Sequence, residues 1–480
     1  MIALSVAEIA TAVGGRIAGA DPGAIVSAPL EFDSRKIAPG GLFLALPGEH
    51  VDGNDYVAAA VDRGAVAAIV TREVDGPGIV VDDGFVAIAA LARVVARRLT
   101  RTTIIGVTGS SGKTSTKDLI AQVLGRTGPT VAPPGSFNNE LGLPYTVLLA
   151  DQDTRFLVLE MSARGIGHIR YLTEVAPPRI GVVLNVGSAH LGEFGSREAI
   201  AQAKGELVEA LPGAADGGVA ILNTDDRLVA AMAARTRARI VTVGESRSAD
   251  VRAEDVALDR SGRASFTLHA AGASVPVELR LVGAHHVGNA LAAAAVALEC
   301  ELPLAEVAAA LGQATATSRW RMEPIERSDG VLILNDAYNA NPESMRAALK
   351  TLATIARARR GSGGRSFAVL GPMAELGDAA NAEHDALGRL AVRLDISQLV
   401  AVGEPARPIQ HGAALEGSWD GESRWVPDAD AAIALLRREL RAGDVVLVKA
   451  SRAASLERVA LAIAEDAVNT ATDGSGGGTA

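Results

Sequence analysis

The sequence predicts an α/β protein of three domains: a central doubly wound sheet, a C-terminal Rossmann-like sheet and a small N-terminal α/β domain. Three observations support this prediction. The 480 residues exceed what one ordinary hydrophobic core holds. The chain is 48% hydrophobic but only 3% aromatic, so its cores must consist of Ala, Val, Leu and Ile, as is usual in α/β layers. Short apolar runs also alternate with helical patterns through most of the chain.

The first 100 residues predict the small N-terminal domain. Glycine and proline turn signals separate short strands and helices there, and Val86 to Leu99 reads as a helix that leads into the next domain. The sequence Asp33-Ser34-Arg35 lies in a loop between two strand-like segments. Arg35 would suit a phosphate through two parallel hydrogen bonds, or it would serve as a surface ion-pair partner. The residues themselves leave both interpretations open.

A strand, a glycine loop and a helix give the clearest chemical signal. Residues 103–108 predict a buried strand, Gly109-Ser110-Ser111-Gly112 a tight loop, and Lys113 to Leu124 an amphipathic helix. Glycines let the backbone approach a polyphosphate, and the helix start adds unpaired N–H groups and a lysine charge. Thr114 follows as a hydroxyl suited to Mg²⁺. A purely structural loop is the alternative, but the GKTST run favours a short P-loop, GxxGK[ST], and hence a P-loop ATPase sheet.

Further strands of the central domain are predicted at residues 155–160, 179–185, 219–223 and 239–243. Open α/β sheets bind ligands at the carboxyl ends of their strands. Glu160 ends one apolar run there, where a carboxylate suits Mg²⁺; the alternative is a helix-capping or surface glutamate. His190 follows another strand, and Lys204 lies in the predicted helix 200–211. Taken alone, His190 reads as a hydrogen-bonded loop residue and Lys204 as a solvated one, but their place at the same sheet edge favours a site.

The last third of the chain predicts the Rossmann-like domain, with strands at residues 331–335, 366–370, 398–402 and 445–449. A boundary around residues 317–323 gives a central domain of residues 101–318 and a third domain of residues 319–466. The glycine-rich end cannot form a core, so residues 467–480 are predicted to be a disordered tail.

Charge and hydropathy exclude several classes of protein. The formal net charge is −10, and no dense Lys/Arg cluster is present, which argues against nucleic-acid binding because phosphate backbones attract basic surfaces. No segment approaches ~18 uninterrupted apolar residues, so we expect no membrane insertion. The single cysteine, Cys300, excludes an internal disulfide. We therefore expect a cytoplasmic protein, and we expect it to be a monomer.

The order of motifs along nearly the whole chain resembles the Mur ligase family, the ATP-dependent amide ligases of bacterial peptidoglycan precursor synthesis. The matching segments of the first two domains are TGSSGKTSTK, NNELGLP, LEMSARGIGHI, NVGSAHLGEFGS, AKGELVEALP, LNTDD and HHVGNALAAA. Those of the third domain are NDAYNANPESM, LGPMAELGDAANAEH and VLVKASR, and they resemble the family member that adds D-alanyl-D-alanine.

The resemblance implies a reaction and its small-molecule partners. ATP and Mg²⁺ would activate the carboxylate of UDP-N-acetylmuramoyl-tripeptide as an acyl phosphate, and D-alanyl-D-alanine would open that intermediate. Three domains would then serve three substrates. Two rivals remain open: the relative that adds diaminopimelate or another relative with the same ATP site, and a binding or regulatory module that hydrolyses ATP as a switch.

The resemblance also implies residue roles. The residues expected to bind ATP are Gly109, Ser110, Ser111, Gly112, Lys113, Thr114, Ser115, Asn223, Asn289, Arg321 and Asp336. The metal ligands would be Thr114, Glu160, His190 and Lys204, the last as a carbamate, and the catalytic residues Lys113, Lys204 and His190. The residues expected to bind the two other substrates are Ser34, Arg35, Asn138, Asn139, Ser162, Arg170, Asn339, Lys449, Ser451 and Arg452. For Asn289, helix capping is the alternative.

Overall fold

A computed structural model describes residues 1–48, 51–189, 191–418 and 421–473, with the side chains of all of these except 362 and 466–473. The predicted α/β class is confirmed. Three main sheets, of five, nine and six strands, follow one another along the chain. The predicted domain limits at residues 100 and 318 fall between these sheets and stay predictions.

The N-terminal domain has a five-stranded sheet in the order β2-β7-β6-β5-β4 and a separate β1-β3 pair. Its strands are β1 (Leu4–Ser5), β2 (Arg16–Ala18), β3 (Ile25–Val26), β4 (Leu30–Glu31), β5 (Gly41–Leu44), β6 (Ala65–Val70) and β7 (Gly78–Val80). Its helices are α1 (Val6–Val13), α2 (Val57–Asp62) and α3 (Gly84–Arg98). One apolar cluster runs from this domain through α3 into the central domain, so the two domains pack as neighbours with a continuous core.

The central domain contains the nine-stranded sheet. Its strands are β8 (Thr103–Thr108), β9 (Thr130–Val131), β10 (Phe156–Glu160), β11 (Ile180–Val183), β12 (Val219–Asn223), β13 (Arg239–Gly244), β14 (Val251–Leu258), β15 (Arg263–Ala270) and β16 (Ala273–Val282). Its helices are α4 (Lys113–Leu124), α5 (Gly142–Leu148), α6 (His168–Val175), α7 (Leu191–Phe194), α8 (Arg197–Glu209), α9 (Arg227–Ala230), α10 (His286–Glu299) and α11 (Leu304–Gln313).

The strand order β9-β10-β8-β11-β12-β13-β14 is parallel throughout, whereas β15 and β16 continue the sheet in antiparallel fashion. Strand β8 is near the middle of this sheet, between β10 and β11. Parallel strands end at the same edge, so the loops after β8, β10 and β11 come together there. The antiparallel strands β15 and β16 were not predicted.

The third domain has six strands in the order β17-β18-β22-β19-β20-β21, with only β17 antiparallel. The strands are β17 (Glu323–Glu326), β18 (Leu332–Asn335), β19 (Ser366–Leu370), β20 (Gln398–Val402), β21 (Ser423–Val426) and β22 (Val445–Lys449). The helices are α12 (Pro342–Arg359), α13 (Ala380–Arg393), α14 (Arg407–Leu415), α15 (Ala429–Glu439) and α16 (Glu457–Asp473). Separate apolar clusters cover its two faces, as a Rossmann-like sheet requires.

The C-terminal end differs from the predicted disordered tail in its first part. Helix α16 continues to Asp473, and residues 474–480 lie outside the described residues. Among the helices of the described chain, none is long and apolar enough to cross a membrane.

Candidate active site

The glycine loop after β8 is built to hold an anion. Gly112 has φ +82°, and a Cβ atom there would lie 2.6 Å from Asn289 Oδ1, so glycine is required both by the backbone and by the space. Buried alanines of α10 let that helix pack closely on the sheet and α4, which places Asn289 against the loop. The Lys113 ammonium donates to the Gly109 carbonyl oxygen over 2.8 Å. The lysine is thereby held over the loop that precedes its own helix.

Asn185, just beyond the end of β11, fixes the shape of this loop. Its Oδ1 accepts from the Ser111 N–H at 2.9 Å, and its Nδ2 donates to the Ser111 carbonyl at 3.1 Å. The Ser110 hydroxyl accepts from the Gly187 N–H at 2.9 Å. The prediction singled out this strand end but not Asn185 itself.

Glu160, at the end of β10, lies beside Thr114. The Thr114 hydroxyl donates to Glu160 Oε2 over 2.9 Å, while Oε1 accepts from Ser136 and from Asn138 Nδ2, each at 2.7 Å. The carboxylate is only 2% exposed. A buried carboxylate next to a P-loop hydroxyl offers the oxygen ligands that Mg²⁺ prefers, so these residues fit the ion. The described residues contain no cluster of three or more His, Cys, Asp or Glu side chains able to hold a metal by themselves.

Arg321 reaches the P-loop from the segment that joins the second and third domains. Its Nη2 donates to the Thr114 hydroxyl over 3.1 Å, and its guanidinium lies 4.1 Å from the ring centre of Tyr338. Its Nε is buried and has no hydrogen-bond partner among the described residues. An unpaired donor beside a phosphate cradle indicates a place for an anionic ligand. Trp320 and Met322 on either side have φ values of +59° and +50°, so the backbone that presents this arginine is strained.

A buried ion pair closes the third-domain side. Lys449, the last residue of β22, donates to Asp336 Oδ2 at 2.6 Å and to the Asn339 carbonyl at 2.9 Å. Burial lowers the pKa of Lys449, and the charge of Asp336 partly opposes that shift. The other oxygen of Asp336 accepts from the Met322 N–H at 3.0 Å. The pair therefore also fixes the segment that contains Arg321.

Two neighbouring lysines of the central domain have lowered pKa values. Lys204 is 3% exposed, and burial, with the neighbouring charge of Lys113, holds the pKa of its ammonium well below the usual range. The pKa of Lys113 is lowered as well, first by burial and then by Arg321, while Glu160 opposes the shift. Lys204 is thus favoured as a neutral amine, the form that can react with CO₂. A carbamate would place an oxygen-bearing group there, which fits a cation-binding role.

The third domain touches the central domain through the start of α12. Glu343 accepts from the Ser188 N–H and hydroxyl at 3.0 Å. Asn341 Nδ2 donates to the Ser110 carbonyl at 3.2 Å. At the rim, Arg164 lies 3.7 Å from a carboxylate oxygen of Glu375. The two domains therefore meet around the glycine loop.

A cleft of about 560 Å³ lies between these groups, within the usual range of ligand sites. The predicted site residues that line it are Ser110, Ser111, Gly112, Lys113, Thr114, Ser115, Asn138, Asn139, Glu160, Ser162, Asn289, Arg321, Asp336, Asn339, Lys449, Ser451 and Arg452. Asn289 is the fourth residue of α10 and not its cap. Gly109 contributes its carbonyl to Lys113, and Lys204 lies close enough to Lys113 for the charge of Lys113 to lower the pKa of Lys204.

Other predicted residues lie elsewhere. Asn223 donates to the Leu184 carbonyl at 2.9 Å and is not among the residues that line the cleft. Arg170 is 58% exposed and 3.8 Å from Glu209. Ser34 and Arg35 belong to a short helical turn of the N-terminal domain, where Arg35 is 81% exposed and bonds to Asp33 at 2.8 Å. In this structure Arg35 therefore forms a surface ion pair, which is the alternative that the sequence left open. His190 lies outside the described residues.

Several lining residues were not predicted: Ser136, Glu140, Arg164, His168, Asn185, His285, His286, Met322, Tyr338, Asn341 and Glu343. Burial and the neighbouring His285 hold the pKa of His286 well below its usual range, which keeps this ring neutral beside Asn289. Asn341 and Glu343 belong to the motif NDAYNANPESM, whose helix-start pattern of Asn, Pro and Ser was the available signal.

Comparison with known proteins gives matches over all three domains. The Mur ligase middle domain matches residues 107–297, the Mur ligase glutamate ligase domain residues 320–452, and the Mur ligase family catalytic domain residues 29–97.

Relatives match over almost their full length. The chain is 53% identical to the UDP-N-acetylmuramoyl-tripeptide–D-alanyl-D-alanine ligase of Mycobacterium bovis over 97% of this chain and 98% of that protein, and 33% identical to the Escherichia coli ligase of the same name, over 97% and 99%. A crystal structure of MurF from Acinetobacter baumannii has a TM-score of 0.84 at 31% identity, covering 97% of this chain and 99% of that one. The crystal structure of MurF from Thermotoga maritima in complex with ADP has a TM-score of 0.77 at 28% identity, covering 93% of this chain and 99% of that one. On these matches and on the P-loop cleft between its second and third domains, the chain belongs to the Mur ligase family.

Proposed function

We propose that this chain is an ATP-dependent ligase that joins D-alanyl-D-alanine to UDP-N-acetylmuramoyl-tripeptide in peptidoglycan precursor synthesis. The products are the elongated peptide, ADP and inorganic phosphate. The observation that carries the proposal is one cleft lined both by the P-loop around Lys113 and by Asp336 and Lys449 of the third domain. The near full-length identity to ligases of that name supports the choice of substrates.

The reaction needs charge to be neutralised at the phosphate. An oxygen of the tripeptide carboxylate bonds to the γ-phosphorus of ATP, the bond from that phosphorus to the bridging oxygen breaks, and ADP leaves. Lys113 and Arg321, both beside Thr114, offset the charge that accumulates on the transferred group, which is worth several kcal/mol in a site shielded from water. Mg²⁺ held by Thr114 and Glu160, and a second ion held by His190 and carbamylated Lys204, would supply further positive charge when bound.

The second step forms the amide. The free amine of the dipeptide attacks the acyl carbon, phosphate departs with one former carboxylate oxygen, and the nitrogen loses a proton. Asn339, Lys449, Ser451 and Arg452 are proposed to hold the dipeptide from the third domain. The Ser451 hydroxyl accepts from the Ala374 N–H at 2.8 Å and donates to the Ala340 carbonyl at 3.3 Å, so it positions the two loops that face the dipeptide.

The tripeptide substrate is proposed to extend toward the N-terminal domain. Asn138, Asn139 and Ser162, which line the cleft, are proposed to contact its sugar-peptide part. Ser34 and Arg35 are proposed to contact the UDP part, which requires Arg35 to exchange its bond to Asp33 for a phosphate oxygen. Asn223 and Arg170 are proposed to contact the nucleotide and the sugar-peptide respectively, Arg170 by leaving Glu209. We also propose that the protein works in the cytoplasm as a monomer.

An isotope experiment tests reaction and substrate together. Purified protein receives ATP, Mg²⁺, the UDP-sugar tripeptide labelled with ¹⁸O in its terminal carboxylate, and a mixture of D-alanyl-D-alanine, diaminopimelate and lysine. We expect one ¹⁸O atom in inorganic phosphate and D-alanyl-D-alanine in the peptide product, both read by mass spectrometry. Unlabelled phosphate would overturn the acyl phosphate. No product from the tripeptide, together with addition of a single diamino acid when the UDP-sugar dipeptide precursor replaces it, would assign the chain to the other relative. ATP hydrolysis that ignores the amine would indicate a switch.

A further inference from the structure

A line of side chains on α4 meets the segment that joins the second and third domains. The residues of this line recur every four positions, at one face of the helix and just past its end: Thr114, Asp118 and Gln122 in α4, and Arg126 two residues after it. Their partners occur in reverse order along the chain: Arg321, Ser318, Thr315 and Gln313. The joining segment therefore runs antiparallel to α4 and ends with Arg321 at the P-loop.

Gln122 holds the middle of this segment through both ends of its amide. Its Nε2 donates to the Thr315 carbonyl at 2.9 Å, and its Oε1 accepts from the Thr315 N–H at 3.0 Å. Arg126 pairs with Gln313 one turn further along. Two reciprocal bonds to one residue fix the direction of the backbone as well as its distance. Gln122 lies two helical turns from Thr114, so it does not belong to the cleft.

Asp118 holds the next contact in a buried setting. Its Oδ2 accepts from the Ser318 N–H at 3.1 Å, and its Oδ1 lies 2.7 Å from the ammonium of Lys117. The Ser318 hydroxyl in turn accepts from the Gly135 N–H at 3.0 Å. Both charged side chains are less than 10% exposed, so each contact is made away from competing water. The joining segment is thereby fixed on one side by α4 and on the other by the loop after β9.

The strained backbone around Arg321 shows what this attachment maintains. Trp320 and Met322 have left-handed conformations that cost about 1–3 kcal/mol each and persist only where the surroundings over-determine them. The Trp320 N–H donates to Glu323 at 3.0 Å, and the Met322 N–H to Asp336. The strained residues are fixed on the N-terminal side of Arg321 by the contacts with α4, and on its C-terminal side by Asp336.

We propose that Asp118 and Gln122 are positioning residues that hold Arg321 on the P-loop from outside the cleft. Neither residue lines the cleft, and both act through the path of residues 315–321. The inference rests on the proposed function for its kinetic meaning, but the geometry applies to any anionic nucleotide at the P-loop. Gln122 is the better residue to test, because replacing Asp118 would leave the buried ammonium of Lys117 without its carboxylate partner.

A double-mutant cycle separates positioning from general stabilisation. The variants are Gln122→Ala, Arg321→Ala and the two combined, with Gln202→Ala on α8 as the matched control. We expect Gln122→Ala to lower kcat about tenfold and to weaken ADP binding by a similar factor. In the Arg321→Ala background, Gln122→Ala should change kcat and ADP affinity by less than about twofold each, because the arginine that Gln122 positions is gone. Gln202→Ala should leave both unchanged.

Two further measurements keep the result decisive. Gln122→Glu retains the acceptor for the Thr315 N–H and should recover part of the lost kcat, and hydrogen exchange of that N–H should be faster in Gln122→Ala than in the wild type. Full kcat in Gln122→Ala, or losses that multiply in the combined variant, would overturn the inference. If the wild type fails to ligate, the proposed function falls, while the cycle measured with Mg²⁺ and ADP by calorimetry still decides the role of Gln122.

Discussion

Asn341 uses both ends of its side-chain amide, one inside the third domain and one across to the second. Its Oδ1 accepts from the Ser344 N–H at 2.9 Å and so caps α12, while its Nδ2 donates to the Ser110 carbonyl in the glycine loop at 3.2 Å. The start of a third-domain helix is thereby bonded to the loop expected to surround the phosphates. A change in the loop on nucleotide binding would be transmitted directly to α12.

The first prediction concerns domain closure. Asn341→Asp retains the cap of α12 but loses the donor to Ser110, at a cost of about 1 kcal/mol to the closed arrangement. Small-angle scattering should show a smaller radius of gyration when Mg²⁺, nucleotide and UDP-sugar tripeptide saturate the wild type, and a weaker decrease for Asn341→Asp. Asn341→Ser, another capping residue without the amide donor, should behave in the same way. Identical scattering with and without ligands in the wild type would contradict closure.

Lys113→Ala should remove ligation without unfolding the protein. Among the described residues, the ammonium of this lysine donates to the Gly109 carbonyl, so its loss removes charge at the phosphate and little packing. We expect turnover to fall at least a hundredfold, in line with the loss of one transition-state donor. Circular dichroism should be unchanged. More than about a tenth of wild-type turnover, a loss under ~1.4 kcal/mol, would exclude the proposed role.

Two glycine substitutions provide a matched pair. In Gly112→Ala an alanine would have to adopt the left-handed backbone conformation of residue 112, and its new methyl group would lie 2.6 Å from Asn289 Oδ1. At Gly288, by contrast, an added Cβ atom meets no atom within 4 Å. Gly112→Ala should therefore weaken ADP binding more than tenfold by calorimetry. Gly288→Ala should bind normally and stabilise α10 by about 0.5–1 kcal/mol. Equal ADP affinity in the two variants would contradict the predicted cradle.

Lys204→Ala should be almost inactive and partly restored by formate or acetate. The reason is that the proposed carbamate supplies oxygen atoms, which a small carboxylate replaces. Wild-type activity should also fall in buffer stripped of CO₂ and recover with bicarbonate, while the variant should ignore bicarbonate. Full activity of Lys204→Ala without any additive would refute the carbamate.

The same lysine should make stability depend on pH. Its native pKa is well below the ordinary value of 10.5, so between these two values the unfolded chain holds a proton that the native chain lacks. Stability of the wild type should then rise with pH through this window. In CO₂-free buffer, Lys204→Met should have the larger free energy of unfolding at pH 7, and its advantage over the wild type should decrease toward pH 10. Urea titrations of both proteins at several pH values measure this difference. A difference that increases with pH would show that the pKa of Lys204 is raised in the native state.

The sequence predicted the parallel sheets well, because their buried strands are continuous apolar runs bounded by turns. The predicted bounds of β8, β12, β19, β20 and β22 agree with the structure. Strands β15 and β16 were missed since they alternate buried and exposed residues at the antiparallel end of the sheet. No helix separates β14, β15 and β16 along the chain, whereas alternation of strands and helices marks the parallel strands.

The site was predictable where its residues are neighbours in sequence or close a strand. The glycine loop, Lys113, Thr114 and Glu160 all line the cleft as expected. Contacts across the domain junction, such as that of Glu343 with Ser188, depend on how two distant segments pack, which no local pattern encodes. Arg170 illustrates the reverse case, because a matching motif does not reveal that the side chain pairs with Glu209.

Trp320 gives this protein an optical reporter of the predicted domain closure. Trp320 comes two residues after Ser318, where the joining segment contacts α4. The guanidinium of Arg452, in the third domain, lies 4.5 Å from the centre of its indole ring. Trp425 is within the third domain, next to Arg407, and its surroundings do not change when whole domains rotate. Opening of the cleft would therefore change the polarity and the fluorescence quenching around Trp320 but not around Trp425. Stopped-flow fluorescence can then time the opening in the unlabelled protein.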